Sequence, residues 1–243
     1  MKYFCTLFIT IFCISIAQSQ SVGIGTNTPE ASAQLDVSST TKGFLPPRMD
    51  STARNAIVAP ATGLTIYNTS INAVQVYNGS KWYATVHFIG EAYGGGVVFY
   101  VYDNGQHGLI AATADQSADI RWSASSTNTR AKADGVGAGA KNSLLVITNQ
   151  TAVDANPFAA TVCSDYAVTV GGVTYGDWYL PSKYELNLLF VQRTIIGIYT
   201  SYYWSSTEAN SAGTTAFSID FSSGAQVMDI KSFNNHIRAV RAF

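Results

Sequence analysis

The chain has 243 residues, and 14 basic side chains nearly balance 15 acidic ones. This length can bury a substantial core in one or two domains. Charged residues make up only 12% of the chain and form no basic run, which argues against nucleic acid as the main partner. Serine, threonine, asparagine, glycine and tyrosine are abundant, as is typical of β-rich extracellular proteins.

Residues 1–17 have the pattern of a cleaved signal peptide. Lys2 supplies the positive charge, and residues 4–16 form an apolar run that is too short to span a bilayer comfortably. Small residues favour cleavage before Gln18, with a second possible site at Ser19. Lipid attachment at Cys13 is less favoured, because no small residue directly precedes it. No later stretch is long and apolar enough for a membrane helix, so we predict a secreted or cell-surface protein.

Residues 18–88 are predicted to form a β-rich stalk or connector unit. Predicted strands cover residues 63–67, 73–77 and 81–87. Pro46 and Pro47 favour an extended path, and Asp50 can cap a short helix over residues 53–58. Large apolar residues are scarce here, so the unit is expected to complete its core between chains.

Three strings in this unit resemble the N-terminal segments of bacterial surface and tail-fibre-like proteins. They are Gly23-Ile24-Gly25-Thr26, Leu35-Asp36-Val37-Ser38-Ser39 and Phe44-Leu45-Pro46-Pro47-Arg48-Met49. The resemblance implies a stalk that assembles as a homotrimer.

Residues 89–243 are predicted to form an α+β domain. A strand over residues 97–102, a turn at Asp103-Asn104-Gly105-Gln106 and a strand over residues 108–112 form a hairpin. A short extended segment covers residues 118–122. Helices are predicted after Asn142 or Ser143, over residues 156–166, and after the Ser182-x-x-Glu185 capping box. Late strands over residues 202–205, 215–221, 226–231 and 238–242 complete an antiparallel sheet.

Several strings in this region resemble the Lcl C-terminal domain family, first described on a collagen-like bacterial adhesin. They include Gly95-Gly96-Val97-Val98-Phe99-Tyr100, Asp177-Trp178-Tyr179-Leu180-Pro181-Ser182, Tyr203-Trp204-Ser205-Ser206-Thr207 and Ile237-Arg238-Ala239-Val240-Arg241. The resemblance covers residues 89–243 and implies a C-type-lectin-like fold. Ala239 stands where some relatives have a cysteine, so Cys163 has no partner there. The calcium-dependent sugar motifs of animal lectins are absent, and no basic surplus supports the sulfated glycans bound by the founding adhesin.

Most residues of these motifs are expected to have structural roles. The set comprises Trp178, Leu180, Pro181, Ser182, Glu185, Trp204, Ser205, Ser206, Arg238 and Arg241. Trp204 is expected to fill the core while the following hydroxyls bond loop backbone. Arg238 and Arg241 are three residues apart, which places them on opposite faces of a strand, and one of them is expected to form an ion pair.

No catalytic residue is predicted. Residues 135–142 match the phosphate-binding loop motif incompletely, because Ala140 replaces the required glycine and Asn142 replaces the required hydroxyl residue. The three histidines are scattered without metal-ligand spacing. The formylglycine-generating oxidases share the lectin-like fold but use two cysteines, and Cys163 is alone after signal cleavage. No cofactor is predicted, and calcium remains open without being indicated.

In lectin-like folds the ligand surface is formed by loops and late strands. The candidate ligand residues are Tyr199, Tyr202, Tyr203, Asn210, Ser211, Asn234, Asn235 and His236. Aromatic rings stack on sugars and amides bond their hydroxyls, and both side-chain types also suit protein recognition. The first hypothesis is therefore an adhesin-like module for a glycan or a surface protein. A structural envelope or fibre component is the alternative, and an enzyme is the least favoured.

Overall fold

A computed structural model describes residues 21–150 and 156–243 of the chain. Strands dominate these residues and helices are few, which is compatible with the predicted α+β class. The predicted signal peptide lies outside the described residues. Within those residues, no helix is long and apolar enough to cross a membrane.

The N-terminal part contains two small sheets. Strands β1 (Val22–Ile24) and β2 (Leu35–Val37) pair in parallel. A four-stranded sheet follows, with β3 (Arg48–Met49), β4 (Thr65–Asn68), β5 (Ala73–Tyr77) and β6 (Trp82–Ala84) in that spatial order. Asp50 caps helix α1 (Ser51–Asn55) as predicted, since its carboxylate accepts a hydrogen bond from the Ala53 backbone N–H at 2.7 Å. The helix begins at residue 51 and not at the predicted residue 53. It ends earlier than residue 58.

Large apolar side chains of this part lie in solvent. Those more than 40% exposed are Val22, Ile24, Leu35, Val37, Phe44, Leu45, Val58 and Tyr83. A single protomer therefore leaves unburied the apolar surface that normally stabilises a small domain, which matches the expectation that this part completes its core between chains.

The C-terminal part contains two main sheets, of four and five strands. The first has the order β17–β9–β8–β7, formed by β7 (Ala92–Tyr93), β8 (Gly96–Tyr102), β9 (His107–Ala112) and β17 (Val240–Ala242). Strands β8 and β9 are the predicted hairpin, joined by a single 3-10 turn (Asp103–Gly105).

The second sheet has five strands in the order β10–β16–β13–β14–β15. They are β10 (Ser117–Arg121), β13 (Tyr202–Glu208), β14 (Thr215–Asp220), β15 (Gln226–Ile230) and β16 (Asn234–Ile237). Neighbours are antiparallel except β13 and β16, which run parallel with Tyr203 beside His236. No strand was predicted over residues 234–237, yet they form β16, because both neighbouring strands pair with this polar segment.

Four helices pack against these sheets. They are α2 (Ala138–Gln150), α3 (Ala159–Ser164), α4 (Lys183–Val191) and α5 (Arg193–Ile196). Helix α2 begins before the predicted caps, so Asn142 and Ser143 are buried inside it, where their side chains bond the backbone of Ala133 and Leu180. Helix α3 is shorter than predicted, and α5 was not predicted.

A second hairpin was also missed. Strands β11 (Val168–Val170) and β12 (Val173–Tyr175) pair through a turn at Gly171 and Gly172, which both have positive φ. Glycine adopts this conformation at little steric cost. The hairpin leaves Val170 and Val173 exposed.

Strand β13 separates two buried clusters. Trp204 belongs to the first, with Trp122 and Trp178. Tyr203 belongs to the second, with Phe99 and Phe221. Successive strand side chains point to opposite faces, so these adjacent residues serve different clusters. The same alternation directs Tyr202 away from the second cluster.

Candidate functional site

The predicted ligand residues do not form one surface. Tyr202 is exposed, whereas Tyr203 is only 4% exposed and belongs to the core. Asn210 holds its own loop through two hydrogen bonds to Thr214, and the Ser211 carbonyl accepts one from Asn128. Tyr199 follows α5, where its hydroxyl lies 3.4 Å from the Thr194 carbonyl.

Tyr202, Asn234 and Asn235 do come together. They line a depression of about 330 Å³ with Asp229 and Phe233, which we call the Tyr202 cleft. The chain turns after β15, where the Phe233 N–H donates to the Ile230 carbonyl at 2.9 Å. This turn exposes the Phe233 ring and starts β16 beside Tyr202.

A carboxylate lies at the centre of the cleft's polar side. Oδ2 of Asp229 accepts hydrogen bonds from Ser218 Oγ at 2.6 Å and from Asn235 Nδ2 at 3.0 Å. These bonds hold the half-buried carboxylate in one orientation. Within the described residues no side chain or backbone donor bonds its second oxygen, Oδ1, which can therefore accept from a ligand.

The cleft combines two exposed rings with oriented polar groups. Tyr202 and Phe233 supply apolar faces, while Asp229 and the two asparagines supply acceptors and donors. Its five lining residues include one acid and no base. Electrostatic complementarity therefore favours ligands with hydroxyl or amino donors over anionic ligands. Asp229 and Phe233 were not predicted as ligand residues, although Phe233 next to two asparagines was a usable signal.

Asp115 forms a second polar cluster beneath this sheet. Its Oδ2 lies 2.7 Å from the Tyr203 hydroxyl and 3.0 Å from His236 Nδ1, while Oδ1 accepts from Arg238 Nε at 2.7 Å. Burial, reinforced by the bond to Asp115, raises the pKa of Tyr203 above its usual range. The three donors connect the β9–β10 loop to β13 and β16, so Tyr203 and His236 hold the fold together at this point.

Both arginines form ion pairs, where one was expected. Arg241 pairs with Asp177 through two bonds of 2.6 and 3.0 Å, whereas Arg238 lies between β16 and β17 and pairs with Asp115. Desolvation opposes the charge of Asp177, but the Arg241 hydrogen bonds and charge prevail and lower its pKa.

Glu185 is more than a helix cap. Its carboxylate accepts from the backbone N–H groups of Ser182, Gly137 and Gly139, at 2.7–3.1 Å, and from the Tyr179 hydroxyl at 3.0 Å. Burial raises the pKa of Glu185, although these hydrogen bonds oppose the shift. The capping box thereby also anchors the loop before α2.

The remaining motif residues lie in the core. Trp178, Leu180, Pro181 and Trp204 are buried. Ser205 Oγ donates to the Phe217 carbonyl at 2.8 Å, as expected for a hydroxyl that satisfies backbone. Ser206 Oγ is buried without a hydrogen-bond partner among the described residues, which departs from that expectation.

The N-terminal part matches one known family model. Residues 23–94 match the family model described as "Phage tail like trimerisation region". No curated protein matches the chain. The match agrees with the predicted tail-fibre-like segment and with the exposed apolar residues there, and it supports a homotrimeric, fibre-like protein.

Proposed function

We propose that this protein is an exported surface adhesin, in which a trimeric stalk presents heads that bind a glycan. The trimerisation match supports the stalk. The motif resemblance of residues 89–243 to the Lcl C-terminal domain supports a C-type-lectin-like, non-enzymatic head without a cofactor. The apolar run before residue 17 supports export.

The observation that carries the binding function is the Tyr202 cleft. Tyr202 and Phe233 keep 45% and 53% of their surface in water beside an oriented Asp229 carboxylate. Exposed rings next to fixed polar groups are a recurrent arrangement at recognition surfaces. The rings would stack on the apolar face of a sugar, and Asp229 Oδ1 would accept from its hydroxyl or amino groups.

The charge of the cleft defines the ligand class. Asp229 is its only ionisable lining group apart from the Tyr202 phenol, so a sulfate or carboxylate on the ligand would meet a like charge. We therefore propose neutral or amino-bearing sugars, not sulfated ones. Three heads on one stalk would strengthen weak single-site binding through avidity.

A glycan array tests this proposal with the mature protein, in the presence and absence of calcium. We expect binding to neutral or amino sugars that Tyr202→Ala and Asp229→Asn weaken. Tyr199→Ala is the matched control, because Tyr199 is similarly exposed outside the cleft. Binding that all three variants retain would place the ligand elsewhere on the head.

The second candidate is a structural fibre component without a small ligand. The exposed apolar residues of the N-terminal part favour it, because they account for assembly without any role for the cleft. Absence of binding on the array, together with a normal trimer in solution, would favour this second candidate.

A further inference from the structure

One face of α4 and α5 carries an apolar stripe that the protomer leaves in water. Tyr184, Val191 and Ile195 are 45%, 57% and 45% exposed, and Leu188 between them is partly buried. The α4–α5 stripe is defined by these four residues. The opposite side of α4 carries Leu186 and Leu189, which are buried in the second cluster. Helix α4 therefore packs on the core through that side and does not need the stripe for it.

The spacing of the stripe is that of a helix that packs on another helix. Its members follow each other by four, three and four residues, the pattern of a coiled-coil seam. The helical path is nearly continuous, since the Gln192 N–H still donates to the Leu188 and Leu189 carbonyls.

Charged groups beside the stripe are engaged within the chain. Lys183 Nζ lies 3.2 Å from Asp134, and the Arg193 guanidinium lies over the Phe190 ring at 4.4 Å. The four stripe side chains are themselves uncharged, and Asp134 balances the charge of Lys183, whereas Arg193 keeps its positive charge over the Phe190 ring.

The stripe is continuous with the trimerisation region. The match to that region ends at residue 94, and Ile89 within it is 37% exposed. Gly90 lies against Ile195, where an added Cβ would be 3.7 Å from Ile195 Cγ2. The stripe thus begins where the segment that joins the three copies meets the head.

We propose that the α4–α5 stripe packs against the same stripe of the other two copies, so that the heads as well as the stalk join in the trimer. A second copy of this chain is the occupant that the observations favour, because the trimerisation region holds identical stripes near one another. Weak interactions then suffice, since the linked copies are at high effective concentration.

Cysteine cross-linking of the mature protein tests this proposal. Val191→Cys places a thiol in the stripe, and Ile195→Cys is the second variant if the first fails to fold. Val173→Cys is the matched control, because Val173 is 52% exposed on the β11–β12 hairpin. Buried Cys163 is present in each protein.

A three-armed maleimide should convert the stripe variants, and not the control, into covalent trimers. Adding Ile195→Glu to Val191→Cys should lower that yield severalfold, whereas adding Val170→Glu should not. Stripe variants that stay uncross-linked in a protein that light scattering shows to be trimeric would overturn the proposal. Equal cross-linking of stripe and control, or a monomer in solution, would overturn it too.

Discussion

Lys231 Nζ and Glu208 Oε1 lie 2.5 Å apart, in an ion pair whose side chains are only 2% and 0% exposed. Glu208 ends β13 and Lys231 follows β15, so the pair connects strands on either side of β14. Burial lowers the pKa of Lys231, and Glu208 opposes that shift. Lys231 also donates to the Thr127 carbonyl at 3.0 Å.

Lys231→Met should strongly destabilise the protein, because it leaves the Glu208 charge buried without its cation. We expect a loss of about 3–5 kcal/mol in the free energy of unfolding, measured by urea denaturation. Lys141→Met is the control, since Lys141 is exposed on α2. Similar losses in the two variants would show that the ion pair is not responsible.

Glu185→Ala should cost more than the loss of an ordinary helix cap. The variant leaves the N–H groups of Gly137, Gly139 and Ser182 and the Tyr179 hydroxyl without their shared acceptor. We expect a loss of more than about 3 kcal/mol in unfolding free energy. Ser182→Ala removes the hydroxyl half of the capping box together with its bond to the Gly135 carbonyl, and should cost less, about 1–2 kcal/mol. Equal costs would contradict the wider role of Glu185.

Tyr203 should make the protein sensitive to alkali. Burial and the bond to Asp115 raise its pKa in the folded state above the usual value of 10.0, so the neutral phenol is favoured by folding. That stability is fully present below pH 10.0 and is lost as pH rises towards the folded pKa. Unfolding free energy should therefore fall above pH 10.0.

Tyr203→Phe should make that fall shallower. Tyr202→Phe, on the exposed face of the same strand, is the control and should leave the slope unchanged. Tyr179, whose pKa is also raised by burial and by Glu185, should keep part of the slope in both variants. An unchanged slope in Tyr203→Phe would refute this assignment.

Cys163 should resist thiol reagents in the native protein. It is fully buried on α3, and burial raises the pKa of its thiol, so the reactive thiolate is suppressed. In a chain that starts at Gln18 and so lacks Cys5 and Cys13, a colorimetric thiol assay should detect no reaction in buffer and one thiol per chain in denaturant. Rapid labelling without denaturant would show that α3 opens readily.

Local signals in the sequence predicted much of the fold. The capping box at Ser182 placed the start of α4, and the apolar run at residues 97–102 placed β8. Two of the missed or misplaced elements depend on partners distant in sequence. Polar β16 forms only because β10 and β13 pair with it, and α2 starts before its predicted caps because Asn142 bonds the Ala133 loop.

The candidate site was predictable only in part. Tyr202, Asn234 and Asn235 were predicted from residue type, but Tyr203 has the same residue type and is buried because strand neighbours alternate faces. Asp229 joins the cleft through cross-strand bonds to Ser218 and Asn235, which depend on sheet register. The β11–β12 hairpin had a usable signal, namely two glycines between alternating segments.

The alternation of β13 has a consequence for how the head unfolds. Trp204 and Tyr203 are adjacent on β13 and pack in different buried clusters. If one cluster loses its packing, β13 moves, and the other cluster loses its packing as well. We expect the two clusters to melt in a single cooperative transition. A destabilising change in either cluster would then lower the stability of the Tyr202 cleft by the same amount, because Tyr202 is the first residue of β13.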